Sequence, residues 1–365
     1  MYIYEQPEWP EFRWDNGSVF ALLAEVRHRQ GRLIGRMESL GFHLRNQAEL
    51  STLTEDVLKT SEIEGERLPT EQVRSSIARR MGLEIAAAIP ADRHVDGVVE
   101  MLLDATRQYD RVLTEDRILA WQASLFPTGF SGLRRIRVGA WRDQDSGPMQ
   151  VVSGPVGREK VHFEAPDAQC IPLEISRFLE WFNAPDAVDP VLKSALAHLW
   201  FVTIHPFEDG NGRVARAIGD MQLARSERSP HRFYSLSAQI QVERADYYRI
   251  LETTQKGTLD VTEWVEWYLG CLDRAIANAG QTLAKVMRIA AFWDVHRDSG
   301  FNERQRKLLN MLLEGFDGHL TTSKWAKIAK CSQDTAYRDI LDLIDKRILQ
   351  KNDSGGRSTH YSIIG

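Results

Sequence analysis

The chain has 365 residues, of which 43% are apolar and 27% charged, with a net charge of −5; this reads as a soluble globular protein long enough for two or three domains. The mildly acidic balance gives no general pull toward nucleic acid, and no apolar run reaches the length of a membrane span. Cys170, Cys271 and Cys331 are too far apart to suggest a disulfide framework or a zinc site, and the N-terminus lacks a basic region followed by an apolar one, so the expected location is the cytoplasm.

The first fifteen residues, rich in aromatics and proline, read as an extended segment. A long amphipathic helix is expected from about Ser18 to Leu40, and a second amphipathic stretch from about Gln47. The second ends in Thr60-Ser-Glu-Ile-Glu64-Gly65, where Gly65 suits the residue after a helix and Pro69 prevents continuation. Glu64 then sits at the negative end of a helix dipole, an unfavourable place for a carboxylate without a cationic partner.

Residues 135–166 break the helical pattern. The turn dipeptides Ser146-Gly147, Gly147-Pro148 and Ser153-Gly154 flank a short β-prone run from Met149 to Val152. Residues 194–204 are apolar nearly all round and read as a helix buried in a core. Pro206 disfavours helical geometry at His205, so that helix should stop with the imidazole at its exit.

Residues 205–216 then read His-Pro-Phe-Glu-Asp-Gly-Asn-Gly-Arg-Val-Ala-Arg. Gly210-Asn211-Gly212 breaks the chain and can bring backbone amides close to a ligand. Asn211 is expected as the N-cap of a helix beginning at Gly212. Arg213 and Arg216, in the first turn, oppose the positive end of the dipole, which makes sense if an anion sits there. Asp209 would conflict with that anion unless a cation such as Mg²⁺ lies between them. Phe207 reads as an anchor of the loop in the core. Together these are the parts for reacting a nucleotide phosphate.

Downstream, Ala245-Asp-Tyr247-Tyr248 opens a helical stretch through Gln255, and Asp260-Val-Thr-Glu263 has capping-box spacing for a helix whose aromatics, Trp264, Trp267 and Tyr268, read as core. The tail reads as helices over 301–316, 321–330 and 334–346, then a hairpin from Asp353. That order resembles a winged helix. The third of these helices carries Asp334, Asp339, Asp342 and Asp345 against Arg338 and Lys346, a face expected to repel phosphates. Partner recognition or dimer support is therefore favoured over DNA binding for this tail.

The run from His205 to Arg216 matches the signature of the Fic family, His-x-Phe-x-(Asp/Glu)-Gly-Asn-Gly-Arg-x-x-Arg, at every fixed position. The resemblance implies a mainly α fold: a Fic-type helical core over 95–290 with a short β-hairpin flap, an N-terminal helical module over 1–94 and a winged-helix-like domain over 300–365. It implies transfer of AMP from ATP to a Ser, Thr or Tyr hydroxyl of a protein, the chain itself included, with release of pyrophosphate. His205 would be the general base and Asp209 the Mg²⁺ ligand. Amides around Gly210, Asn211 and Gly212 would form the anion hole, and Arg213 and Arg216 would hold the β- and γ-phosphates. Thr60, Glu64 and Gly65 match the family's inhibitory motif, (Ser/Thr)-x-x-x-Glu-(Gly/Asn), in which Glu64 would pair with Arg216 and obstruct the γ-phosphate. The resemblance further suggests Val152, Ser153 and Gly154 on the nucleotide side of the flap, and Tyr247, Tyr248 and Gln255 beside the adenine. Ranked below this reading are transfer of another phosphate-containing group, removal of AMP, and a nucleotide-sensing transcriptional regulator.

Overall fold

The computed structural model describes residues 1–84, 89–154, 158, 160–185, 188–316, 318–352 and 359–364. It divides into two compact units, Met1–Thr282 and Leu283–Gly365. Both are mainly helical, with short antiparallel strand pairs. No helix among the described residues is long and apolar enough to cross a membrane.

The first unit begins with α1 (Asn16–Glu38), α2 (Phe42–Ile63), α3 (Thr70–Arg80), α4 (Arg93–Arg107) and α5 (Glu115–Leu125). Two strand pairs follow: β1 (Phe130–Ser131) with β2 (Arg134–Arg135), and β3 (Gln150–Ser153) with β4 (Lys160–Glu164). Then come α6 (Ile171–Asn183), α7 (Pro190–Ile204), α8 (Asn211–Glu227), α9 (Leu236–Val242), α10 (Arg244–Gln255) and α11 (Thr262–Val295); the division between units falls inside α11.

Helix α7 is the centre. All of its residues after Pro190 are buried, as its unbroken apolar run requires. Asp189 caps it by accepting the Val191 amide at 2.8 Å, a bond of a kind that contributes about 1 kcal/mol. Helix α8 packs along α7 and is itself buried from Arg213 to Ala224. Phe178 and Phe182 of α6 meet Trp200 and Phe201 of α7 in one aromatic cluster. Trp264 and Tyr268 of α11 are fully buried and Trp267 packs against Trp264, so these aromatics do belong to the core.

The N-terminal segment is not extended. Ile3–Glu5 form a 3-10 turn, and Tyr2 and Tyr4 set their rings against Phe163 of β4 at 5.2 and 6.1 Å. Trp9 and Phe12 meet Trp200 at 6.1 and 6.0 Å. Burying Trp9 and partly covering the other three rings outweighs the local preference of a proline-rich stretch for open chain.

In the second unit, α12 (Glu303–Glu314), α13 (Thr322–Ala329) and α14 (Gln333–Asp345) precede the hairpin of β5 (Leu349–Asn352) and β6 (His360–Ile363). Leu320 bridges to Tyr361 as a third, single-residue rung. Leu308, Leu309, Trp325, Ile340 and Leu343 form its own core. The start of the hairpin expected from Asp353 falls at 353–358, outside the described residues. Of the four aspartates expected on an outward acidic face, one turns inward and a second is paired at the surface. Asp339 is buried and accepts from Arg304 Nε at 2.7 Å, and Asp342 accepts from Gln305 Nε2 and Lys346 Nζ, both at 2.6 Å. The outward face of α14 carries Asp334, Tyr337, Arg338, Leu341 and Asp345. It is mixed rather than acidic.

Candidate active site

Helix α7 ends at Ile204, two residues before Pro206, because the residue preceding a proline is disfavoured in helical geometry. His205 caps it in the left-handed region (φ 50°, ψ 57°), its amide still bonded to Phe201 O at 3.1 Å. Its Nδ1 donates to Val202 O at 3.1 Å. In the neutral ring Nε2 is then the unprotonated nitrogen, which is the form a general base needs. Burial pushes the imidazole down to about 4; the Val202 carbonyl opposes this, and the nearby Arg142 charge reinforces it.

The loop after His205 is braced from inside. Phe207 is fully buried and packs on Trp141 at 4.8 Å. Asn211 does not cap α8. It is the first residue of the helix, and its side chain reaches back to accept the Phe207 amide at 2.9 Å and donate to Phe207 O at 2.8 Å. The N-cap is Gly210, with φ 91° and no side chain to offer. That backbone conformation favours glycine, and a Cβ there would also lie a tight 3.1 Å from the Phe126 ring. A side chain that closes the loop cannot also cap the helix, which leaves the amides of Asn211, Gly212 and Arg213 without intrahelical acceptors. These are anion-binding groups by construction.

Asp209 stands at the mouth of this helix start. Its Oδ1 accepts the Gly210 amide at 2.6 Å and its Oδ2 accepts the Ser131 hydroxyl. No group of three metal-ligating side chains occurs among the described residues. A single hard carboxylate with unused lone pairs suits Mg²⁺, which takes one or two protein carboxylates and completes its shell with phosphate and water.

The two arginines of the motif are both engaged by the segment that follows α2. Arg216, nearly fully buried, donates from Nε to Thr60 Oγ1 at 2.8 Å and from Nη2 to Thr60 O at 3.0 Å and to Glu64 Oε1 at 2.6 Å. Glu64 caps α2 and Gly65 follows with φ 84°, as expected for the residue after a helix. Burial pushes the Glu64 carboxyl up, but the charge and hydrogen bond of Arg216, helped by Arg213, hold it below the usual range. Arg213 sits over the Phe126 ring and donates to Glu66 Oε2 at 3.1 Å, while His94 Nε2 lies 2.6 Å from Glu66 Oε1.

Of the residues expected beside the nucleotide base, Tyr248 is 38% exposed and donates to Ile63 O at 3.3 Å, next to Glu64. Tyr247 and Gln255 are buried instead: Tyr247 bonds His198 at 2.9 Å, and Gln255 donates to Thr203 at 3.2 Å. Val152 and Ser153 lie on β3 and Gly154 just beyond it, with φ 104°. Ser153 Oγ meets His162 Nε2 at 2.5 Å, and His162 Nδ1 meets Glu252 of α10 at 2.6 Å, which ties the strand pair to the helix carrying Tyr248.

Residues 112–223, which contain this whole loop, match the Fic/DOC family. That stretch is a Fic domain by this match. Residues 2–83 match a second family described as a domain of unknown function, DUF4172. Over 104 residues the chain is 35% identical to a protein adenylyltransferase Fic of Culex quinquefasciatus, a match covering 28% of this chain and 19% of that protein. A protein adenylyltransferase fic-1 of Caenorhabditis briggsae is 35% identical over 89 residues, covering 24% and 16%. The matched region thus spans less than a fifth of either relative. In fold, the chain resembles a Fic family protein from Desulfovibrio desulfuricans G20, with a TM-score of 0.51 and 21% identity over 95% of this chain and 96% of that one. It also resembles a Fic domain containing signaling protein from Bacteroides thetaiotaomicron, with a TM-score of 0.52 and 20% identity over 73% and 97%.

Four residues around the Fic loop carry no mark in the sequence. Ser131 ends β1 and Arg142 lies between β2 and β3, while Glu66, after α2, meets His94 at the start of α4. Arg142, Ser131 and Glu66 each touch a motif residue only through the fold, and His94 reaches the site through Glu66.

Proposed function

We propose that this protein is an autoinhibited adenylyltransferase that moves AMP from ATP to a hydroxyl side chain of a protein, itself included, and releases pyrophosphate. The observation that carries the reading is His205, whose Nδ1–H is spent on Val202 O at 3.1 Å while its loop ends in a helix start with free amides. A serine, threonine or tyrosine hydroxyl is a poor nucleophile. The Nε2 of neutral His205 takes its proton as the oxygen attacks the α-phosphorus. Charge growing on the phosphate oxygens meets the amides of Asn211, Gly212 and Arg213 and the two arginines, all fixed before the reaction begins. Asp209 would hold Mg²⁺, which when bound neutralises phosphate charge.

In this reading residues 1–94 form a regulatory module, 95–290 the catalytic domain and 300–365 a winged-helix-like tail. Glu64 keeps the enzyme off by holding Arg216, whose guanidinium is then not available to the γ-phosphate. The β3–β4 pair receives the target chain by strand addition, a mode that needs only backbone groups at a free edge. The mixed outward face of α14, with Tyr337 and Leu341 exposed beside single charges, favours a protein partner for the tail over a phosphate backbone.

Intact-mass spectrometry of the Glu64→Gly protein after incubation with ATP and Mg²⁺ tests this. The reading expects an added mass of one AMP per modified site. Addition of a phosphate alone, or no addition in the presence of diverse protein acceptors, would overturn it.

A further inference from the structure

We infer that Arg142 is a positioning residue for this transfer, tying the backbone of the general base to the strand that receives the target. The inference rests on the transferase reading above.

Arg142 lies between β2 and β3 and is 3% exposed. Its Nε donates to His205 O at 2.8 Å, and its own backbone amide donates to Pro206 O at 2.9 Å. One residue therefore takes two consecutive carbonyls of the His-Pro step. That step is a place where help is needed, because His205 is held at φ 50°, a conformation that non-glycine residues adopt rarely and keep only when their surroundings over-determine it. The same guanidinium donates from Nη2 to Pro166 O at 2.5 Å. Pro166 follows directly on the closing rung of the strand pair, the Ala165 amide on Met149 O at 2.9 Å. The base of the pair and the catalytic loop are thus spaced by a single rigid fork.

Charge makes the choice of residue informative. Among the described residues Arg142 forms no ion pair, and burial pulls its pKa down. A buried guanidinium facing carbonyls is a costly way to fill space. It is the side chain whose planar fork reaches carbonyls on two different segments at fixed separation, which lysine cannot reproduce.

The test is made in the Glu64→Gly background, with Glu64→Gly itself as the control. Adding Arg142→Met should lower kcat for AMP incorporation about tenfold or more while the KM for ATP stays within about twofold, because misplacing the base costs the transition state and not nucleotide binding. Arg142→Lys, which keeps charge and bulk, should recover part of kcat; if the methionine variant does not fold, the lysine variant is compared directly with the control. Unchanged kcat in folded protein, or a loss confined to the KM for ATP, would overturn the inference. In parallel, ¹⁵N NMR of the His205 ring should show one tautomer, protonated at Nδ1, in the control and a mixture in Arg142→Met. If the control makes no AMP adduct, it is the transferase reading that fails; the ring spectrum still decides for or against Arg142, and an identical spectrum in both proteins would count against it.

Discussion

Glu64 Oε1 lies 2.6 Å from Arg216 Nη2 and covers Gly212 so closely that a Cβ on that glycine would come within 2.3 Å of it. A carboxylate thus rests at the helix start where a phosphate would be bound. Removing it in Glu64→Gly should raise AMP incorporation by about tenfold or more, the range of a coupling free energy of 1–3 kcal/mol. Initial rates with labelled ATP measure this; equal rates in the two proteins would show that the contact is not inhibitory.

Glu66 makes a second, weaker hold. It binds Arg213 at 3.1 Å and is itself paired with His94, so the segment after α2 occupies both motif arginines. Its carboxylate is more exposed than a core pair, and exposed pairs contribute little. Glu66→Ala alone should therefore activate only about twofold to threefold, and should add to the effect of Glu64→Gly in the double variant. A lower rate in the double variant than in Glu64→Gly would mean that Glu66 assists the reaction.

The pH profile follows from His205. Its pKa is lowered from 6.5 to about 4, chiefly by burial. If the neutral ring is the base, as proposed, rate is lost only as pH falls through the folded-state value. For Glu64→Gly, kcat/KM should hold as pH is lowered past 6.5 and drop on approach to 4, with circular dichroism confirming that the protein stays folded. An acidic limb centred near 6.5 would show an imidazole open to water.

Asp209→Asn separates charge from shape. The amide can still accept from Gly210 and donate to Ser131, so the loop should keep its form. Without the negative charge, stimulation of transfer by Mg²⁺ should be lost by about tenfold or more in metal affinity. Unaltered Mg²⁺ dependence would remove Asp209 from the metal site.

Much of this arrangement was legible in the sequence because its signals are local. The apolar run of α7 stopped by Pro206, the glycines at 210 and 212, and the Glu64-Gly65 helix end each state their geometry within a few residues. The failures were of the opposite kind. Asn211 has the chemistry of an N-cap, but a neighbour four residues back, Phe207, offers both backbone groups and takes the side chain. Tyr247, expected at the ligand surface beside Tyr248, points into the core because adjacent helix residues face different ways. The acidity of α14 was overstated because Asp339 and Asp342 meet partners on α12 and on their own helix. Arg142 could not have been found from spacing, since its three carbonyl partners lie 24 to 64 positions away.

The most direct measurement compares ATP labelled at the α-phosphate with ATP labelled at the γ-phosphate, using Glu64→Gly and Glu64→Gly/His205→Ala. Protein should acquire label from the α-position only, and only where His205 is present, while both proteins bind ATP alike. Label arriving from the γ-position, or α-label retained at full rate without His205, would contradict the account.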